Sequence, residues 1–216
     1  MNAGAPPGPV DRASLDRHVR ALARSEPVFA AILEGHGPPP LWARRPGFAT
    51  LAWIILGQQV SVASASAAYR RLVDGAGRVT PGRVSGLGEE GLRALGITRQ
   101  KARYCVALAR AVASGALDLR TLEGRAAGEV RERLTRVTGV GRWSADIYLL
   151  MALGHPDVWP RGDVALYGAW RARAGGDWSA GDIDRRAARW RPYRSAAARL
   201  LWHEVLAGRR RRRARR

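Results

Sequence analysis

Apolar residues recur every three to four positions along most of this 216-residue chain, and no stretch alternates as a half-buried strand would. The pattern predicts an all-α protein. LDRHVRALARSEPVFAAIL, at 15–33, reads as helical, with Pro27 as a kink or break. GHGPPP, at 35–40, reads as a linker. FATLAWIILGQQVSVASASAAYRRLV follows Pro46 and reads as one long core helix with Gly57 in its middle, ended by DGAG. Further helical patterns are RQKARYCVALARAVASG behind a Thr98 cap, AAGEVRERLTRV, RWSADIYLLMAL, a helix beginning near Asp163, IDRRAARWR behind Asp182, and PYRSAAARLLWHEVLAG from Pro192. The Pro/Gly-rich residues 1–10 and the arginine run 208–216 are expected to be disordered ends.

One junction breaks this rhythm. In LTRVTGVGRWSADIYLL an apolar helix is interrupted by Gly139-Val140-Gly141 and restarts at once with Arg142, Trp143 and Ser144. Glycines permit positive φ and leave backbone N–H groups bare. A restarting helix also points unpaired N–H groups and the positive end of its dipole outward. Together they suit a phosphate, which makes Gly139, Val140, Gly141, Arg142 and Ser144 candidate phosphate contacts. The plainer alternative is an ordinary turn between helices with a glycine cap.

Charge changes the weight of that choice. The chain carries 37 Lys+Arg against 18 Asp+Glu, a net charge of +19, which points to a polyanionic partner. Membrane spans are not expected, because charges interrupt every helical pattern, and the first residues lack the apolar stretch of a secretory leader. Cys105 stands alone, so neither a four-cysteine metal site nor an iron–sulfur cluster is expected. The four histidines, His18, His36, His155 and His203, show no ligand spacing, and no cofactor or transition metal is expected. A cytoplasmic, nucleoid-associated monomer is the default expectation.

The hairpin stretch resembles the helix-hairpin-helix motif of the base-excision DNA glycosylases, and three further segments follow that family's order. ILGQQVSVASASAAYRRL, LRALGITRQKARYCVALA and RWRPYRSAAARLLWHE are each similar to a family segment, so the resemblance covers roughly residues 45–206. Its nearest branch is DNA-3-methyladenine glycosylase II, in a compact form without the N-terminal β domain. The resemblance implies a two-lobed helical fold with the active site between lobes. The core would span 11–207, with a middle lobe 46–158 holding the hairpin 138–142, and a terminal lobe 11–45 plus 159–207.

It also implies roles. The catalytic carboxylate would be Asp163, in WPRGDVAL, 20 residues after Trp143; as a residue alone it reads equally as a helix N-cap. Asp157 is the second candidate, and Asp146 is expected to make a structural hydrogen bond. Trp143 and Trp202, with Ile147 and Tyr193, would wall the pocket for a flipped base, whereas a tryptophan in an apolar helix otherwise reads as core. Gln59, with Gln58 beside it, would fill the hole left in the duplex; otherwise the pair simply bonds backbone at an irregular junction. Arg194 is expected to pair with an acid or a carbonyl. A monovalent cation at the carbonyls of Thr138 and Val140 is a further family feature. Bifunctional branches place a lysine just after the hairpin, where this chain has Trp143, and Lys101 lies in another helix. The expected activity is therefore a monofunctional glycosylase that removes alkylated purines such as 3-methyladenine from double-stranded DNA and leaves an abasic site. A glycosylase for deaminated or mismatched bases, and a non-catalytic protein that binds damaged DNA, are the alternatives.

Overall fold

The computed structural model describes residues 8–214, and all regular structure among them is helical. The chain forms two compact units, 1–43 with 154–216, and 44–153.

The first unit holds α1 (Arg12–Ser25), α2 (Pro27–His36), α9 (Val164–Ala174), α10 (Ala180–Ala187) and α11 (Arg194–Ala214). Asp11 starts α1 with a capping box to Ser14. Pro27 does not kink a helix but opens α2, where its missing N–H costs nothing. Helices α2, α9 and α11 pack together around Phe29, Ile32, Leu166, Trp170, Leu200 and Leu201, all buried. Trp190 sits within 4.9–5.2 Å of the Phe29, Trp159 and Trp170 ring centroids, an aromatic cluster unforeseen in the sequence. Ser179, not Asp182, caps α10, and Asp182 closes the capping box three residues on.

The described parts of both chain ends depart from expectation. Residues 1–7 lie outside the described residues, but Val10 is buried and its N–H donates to the Gly154 carbonyl. The arginine run continues α11 as far as Ala214, and the last two residues lie outside the described part. Arginine is a good helix former, and lengthening a helix already nucleated on a buried segment needs no new nucleus.

The second unit holds α3 (Phe48–Gly57), α4 (Val62–Ala76), α5 (Pro81–Ala94), α6 (Arg99–Ala113), α7 (Ala127–Thr135) and α8 (Arg142–Met151). Helix α3 is apolar all round, which suits its place at the centre, packed on α4, α6 and α8. The expected single helix across Gly57 is two helices. Helix α3 ends at Gly57, residues 58–61 turn, and Ser61 caps α4 by accepting from the Ser64 N–H. The apolar periodicity runs through this turn and conceals it. Helix α3 starts at Phe48 behind Gly47, whose N–H donates to the Tyr148 hydroxyl at 2.8 Å, rather than at Pro46.

Candidate nucleic-acid interface and catalytic carboxylate

In the second unit, α7 ends at Thr135 and α8 starts at Arg142, packed neighbours joined by a short turn. The turn closes on itself, with the Val140 N–H donating to the Val137 carbonyl at 3.0 Å. Gly139 has φ +89, and a β carbon there would overlap the Tyr104 ring carried by α6. Only glycine satisfies both constraints. Gly141 differs. Its φ is −83, it is exposed, and an added β carbon would meet no atom within 4 Å. Gly141 has no side chain with which to cap α8, so the approach to the start of that helix is open at this residue.

The two glutamines between α3 and α4 part company. The Gln58 amide donates to the Gly139 carbonyl at 2.8 Å and to Ser144 Oγ at 2.9 Å. It therefore fastens the α3–α4 turn to the hairpin. Ser144 is only 2 % exposed, so its hydroxyl serves this tie instead of reaching outward. Gln59 is exposed and has φ +56, a left-handed conformation that costs a non-glycine residue on the order of 1–3 kcal/mol. Its neighbours Val60 and Val62 are also exposed, so this turn offers strained backbone and apolar surface together. Lys101 Nζ donates to the Leu56 carbonyl at 2.7 Å and so caps the end of α3. Burial holds its pKa below the ordinary lysine value. Gln58, Gln59, Lys101, Tyr104, Thr138, Val140 and both hairpin glycines line one cleft of about 450 Å³.

Trp143 is half-buried in the first turn of α8, followed by the buried Ile147 one turn later. Asp146 is fully buried and accepts from Arg131 Nε, a helix-to-helix tie between α7 and α8. Cys105 lies buried in α6, where desolvation pushes its thiol up to about 12.

Asp163 lies in the first unit. It caps α9, and its Oδ1 accepts from the Ala165 and Leu166 N–H groups at 3.0 Å. The carboxylate is thus fixed in direction by the helix it starts, at 8 % exposure. Asp157, the second candidate acid, is bound by Arg194 through Nε to Oδ1 at 2.7 Å and Nη2 to Oδ2 at 2.8 Å. That bidentate pair joins the 154–163 segment to the start of α11 and commits Asp157 to structure. Tyr193 is half-buried with its ring stacked on His18 at 4.5 Å, and burial, then Arg17, lowers the pKa of that imidazole. Trp202 is half-buried on α11. Arg199, one turn before His203, is buried and donates to the Leu41 carbonyl; desolvation brings its pKa down to about 10. Tyr104, Lys101 and Gln58 were not legible as hairpin supports, because nothing in sequence spacing links α6 or the α3 end to a turn some 40–80 residues away.

No group of three or more His, Cys, Asp or Glu among the described residues is placed to hold a metal ion, and no described helix is long and apolar enough to cross a membrane.

A helical fold built on a helix-hairpin-helix turn, with an aspartate capping a later helix, defines the class. The sequence matches the HhH-GPD superfamily of base excision DNA repair proteins over residues 52–194, and the chain belongs to that superfamily. It is similar to a Bacillus subtilis protein provisionally named a DNA-3-methyladenine glycosylase, at 27 % identity over 191 residues, covering 84 % of this chain and 67 % of the relative. DNA-3-methyladenine glycosylase 2 of Escherichia coli is 31 % identical over 160 residues, 69 % of this chain; the chain spans about half the length of that relative, 54 %. Among solved structures, the 3-methyladenine DNA glycosylase of Schizosaccharomyces pombe in complex with abasic DNA superposes with a TM-score of 0.78 at 24 % identity, over 86 % of this chain and 95 % of that one.

Proposed function

We propose that this protein is a monofunctional DNA glycosylase that hydrolyses the N-glycosidic bond of alkylated purines, 3-methyladenine among them, and leaves an abasic site. The observation that carries this reading is Asp163, an anchored and largely buried carboxylate closing the WPRGD loop of a chain related to named 3-methyladenine glycosylases. An N-alkylated purine is cationic and departs as a neutral base, so no strong general acid is required. As the bond from sugar C1′ to the base nitrogen lengthens, positive charge grows on the sugar. A fixed carboxylate stabilises that charge and accepts a proton from the attacking water, whose oxygen becomes the C1′ hydroxyl. Trp143 is the aromatic face that would receive the cationic ring, an attraction of about 0.5–2 kcal/mol. Monofunctional chemistry is favoured by the lysine inventory. Lys101 is the sole lysine of the chain, and its Nζ is engaged at the Leu56 carbonyl.

Asp163→Asn is a clean test. Asparagine caps a helix as well as aspartate does, and its amide oxygen can keep the bonds from Ala165 and Leu166. The folded state should survive, and only the charge is lost. Incubation with methylated DNA and identification of the freed bases should show release by the wild type. The variant should show a loss of at least about a hundredfold, with duplex binding retained. Activity within about tenfold of wild type would remove Asp163 from the chemistry.

A further inference from the structure

One carboxylate on α10 reaches the loop that delivers Asp163 at several points. Asp184 Oδ1 accepts from Trp159 Nε1 at 2.8 Å and from the Tyr167 hydroxyl at 2.7 Å. The Tyr167 oxygen in turn accepts from the Gly162 N–H at 2.8 Å. The hydroxyl proton can point only one way, since Asp184 offers no hydrogen and Gly162 supplies its own. Arg161 Nε lies 3.7 Å from the other Asp184 oxygen, Oδ2. One side chain thus reaches the start of the loop at Trp159, its middle at Arg161 and, through Tyr167, the residue just before Asp163.

The rest of the loop gives these ties leverage. Gly162 has φ +78, so the chain turns sharply immediately before the carboxylate. The Asp163 N–H donates to the Pro160 carbonyl at 3.3 Å, closing the turn. Tyr167 follows Asp163 by one helical turn and its N–H donates to the Asp163 carbonyl at 3.1 Å. Its ring also stacks on Trp159, with centroids 6.3 Å apart. Burial, and then the Asp184 bond, raises the Tyr167 pKa, which keeps the hydroxyl a donor across the working range.

We propose that Asp184 is a positioning residue for the glycosylase reaction, acting through Tyr167 and Gly162 to set the direction of the Asp163 carboxylate. The proposal rests on Asp163 being the catalytic carboxylate. Near-attack geometry is sensitive to displacement of about 1 Å, which can cost on the order of a hundredfold in rate. A brace that fixes the loop therefore acts on the chemical step and not on DNA affinity.

The test is single-turnover base release from methylated duplex, measured beside duplex affinity, for Asp163→Asn, Asp184→Ala, Asp184→Asn, Tyr167→Phe and the Asp184→Ala/Tyr167→Phe double variant. Asp184→Ala and Tyr167→Phe should each slow release by about ten- to a hundredfold with affinity within about threefold of wild type. The double variant should be no slower than the worse single, because both changes cut one chain of bonds. Asp184→Asn keeps an oxygen for Trp159 and Tyr167 and should restore most of the rate. Wild-type release rates in folded Asp184→Ala and Tyr167→Phe, beside an inactive Asp163→Asn, would overturn the brace and leave the catalytic assignment standing. So would slow variants that asparagine fails to rescue. If Asp184→Ala does not fold, Tyr167→Phe, which removes one oxygen, decides alone. An active Asp163→Asn would overturn the premise and the brace with it.

Discussion

Gly139 and Gly141 stand two residues apart and answer to different constraints. Gly139 combines φ +89 with a β-carbon position occupied by the Tyr104 ring. Gly139→Ala therefore carries both backbone strain and overpacking, each on the order of 1–3 kcal/mol. At about 2–4 °C per kcal/mol for a chain this size, its melting temperature should fall by roughly 4 °C or more. Gly141 has ordinary φ and open space around it. Gly141→Ala should melt like wild type, or slightly higher through a less flexible unfolded chain. If the start of α8 binds a phosphate as we propose, its methyl group would stand in the path of that approach, and duplex binding should weaken. A backbone contact carries no base information, and damaged and undamaged duplex should lose affinity by the same factor. Thermal melts and paired binding titrations check both variants. A Gly141→Ala protein that binds every duplex normally would leave the turn as simple chain reversal.

At the scale of elements, the α3–α4 junction shows what the sequence could not display. Residues 48–73 carry one apolar period, and periodicity reports which side faces the core, not whether the helix is continuous. The break is made by tertiary bonds, Gln58 to the hairpin and Lys101 to the Leu56 carbonyl, whose partners lie far along the chain. The hairpin was legible because its signal is local: two glycines, flanking apolar runs and an immediate restart. The cap at Asp163 was legible for the same reason, while the Asp184 brace, 17 to 25 residues from the groups it binds, was not. The junction makes the two glutamines separable. Gln58→Ala leaves the buried Ser144 hydroxyl without its Gln58 donor and removes the tie to Gly139, a loss of about 1–3 kcal/mol. Gln59→Gly relieves the left-handed strain and should melt no lower than wild type. It should still excise methylated bases more slowly, because the side chain that would fill the vacated duplex position is gone. Melting curves and base-release rates for the pair give opposite rank orders if this division of labour holds. Equal effects on both measurements would dissolve it.

At the scale of the whole molecule, the excess of 19 positive charges is larger than one hairpin requires, and the end of α11 concentrates part of it. Seven of residues 209–216 are arginine. In a disordered tail each could seek its own phosphate. The backbone is helical as far as Ala214, where successive positions lie about 100° apart around the axis and only those three and four apart share a face. Arg211 is partly occupied within its own protein, donating to the Gly35 carbonyl and lying 3.2 Å from His36 Nδ1. A run that is helical through Ala214 should therefore neutralise fewer phosphates than its count of charges. Each phosphate contributes about −0.9 to the slope of log affinity against log salt. Deleting residues 209–216 should make that slope shallower by roughly two to four, not by the six or so that seven independent arginines would give. The measurement is a salt titration of undamaged-duplex affinity for the full and truncated chains. The effect should be equal for damaged duplex, since phosphates carry no record of the lesion. A change near six would mean the run unwinds on DNA, and an unchanged slope would mean that α11 ends in solvent with no part in binding.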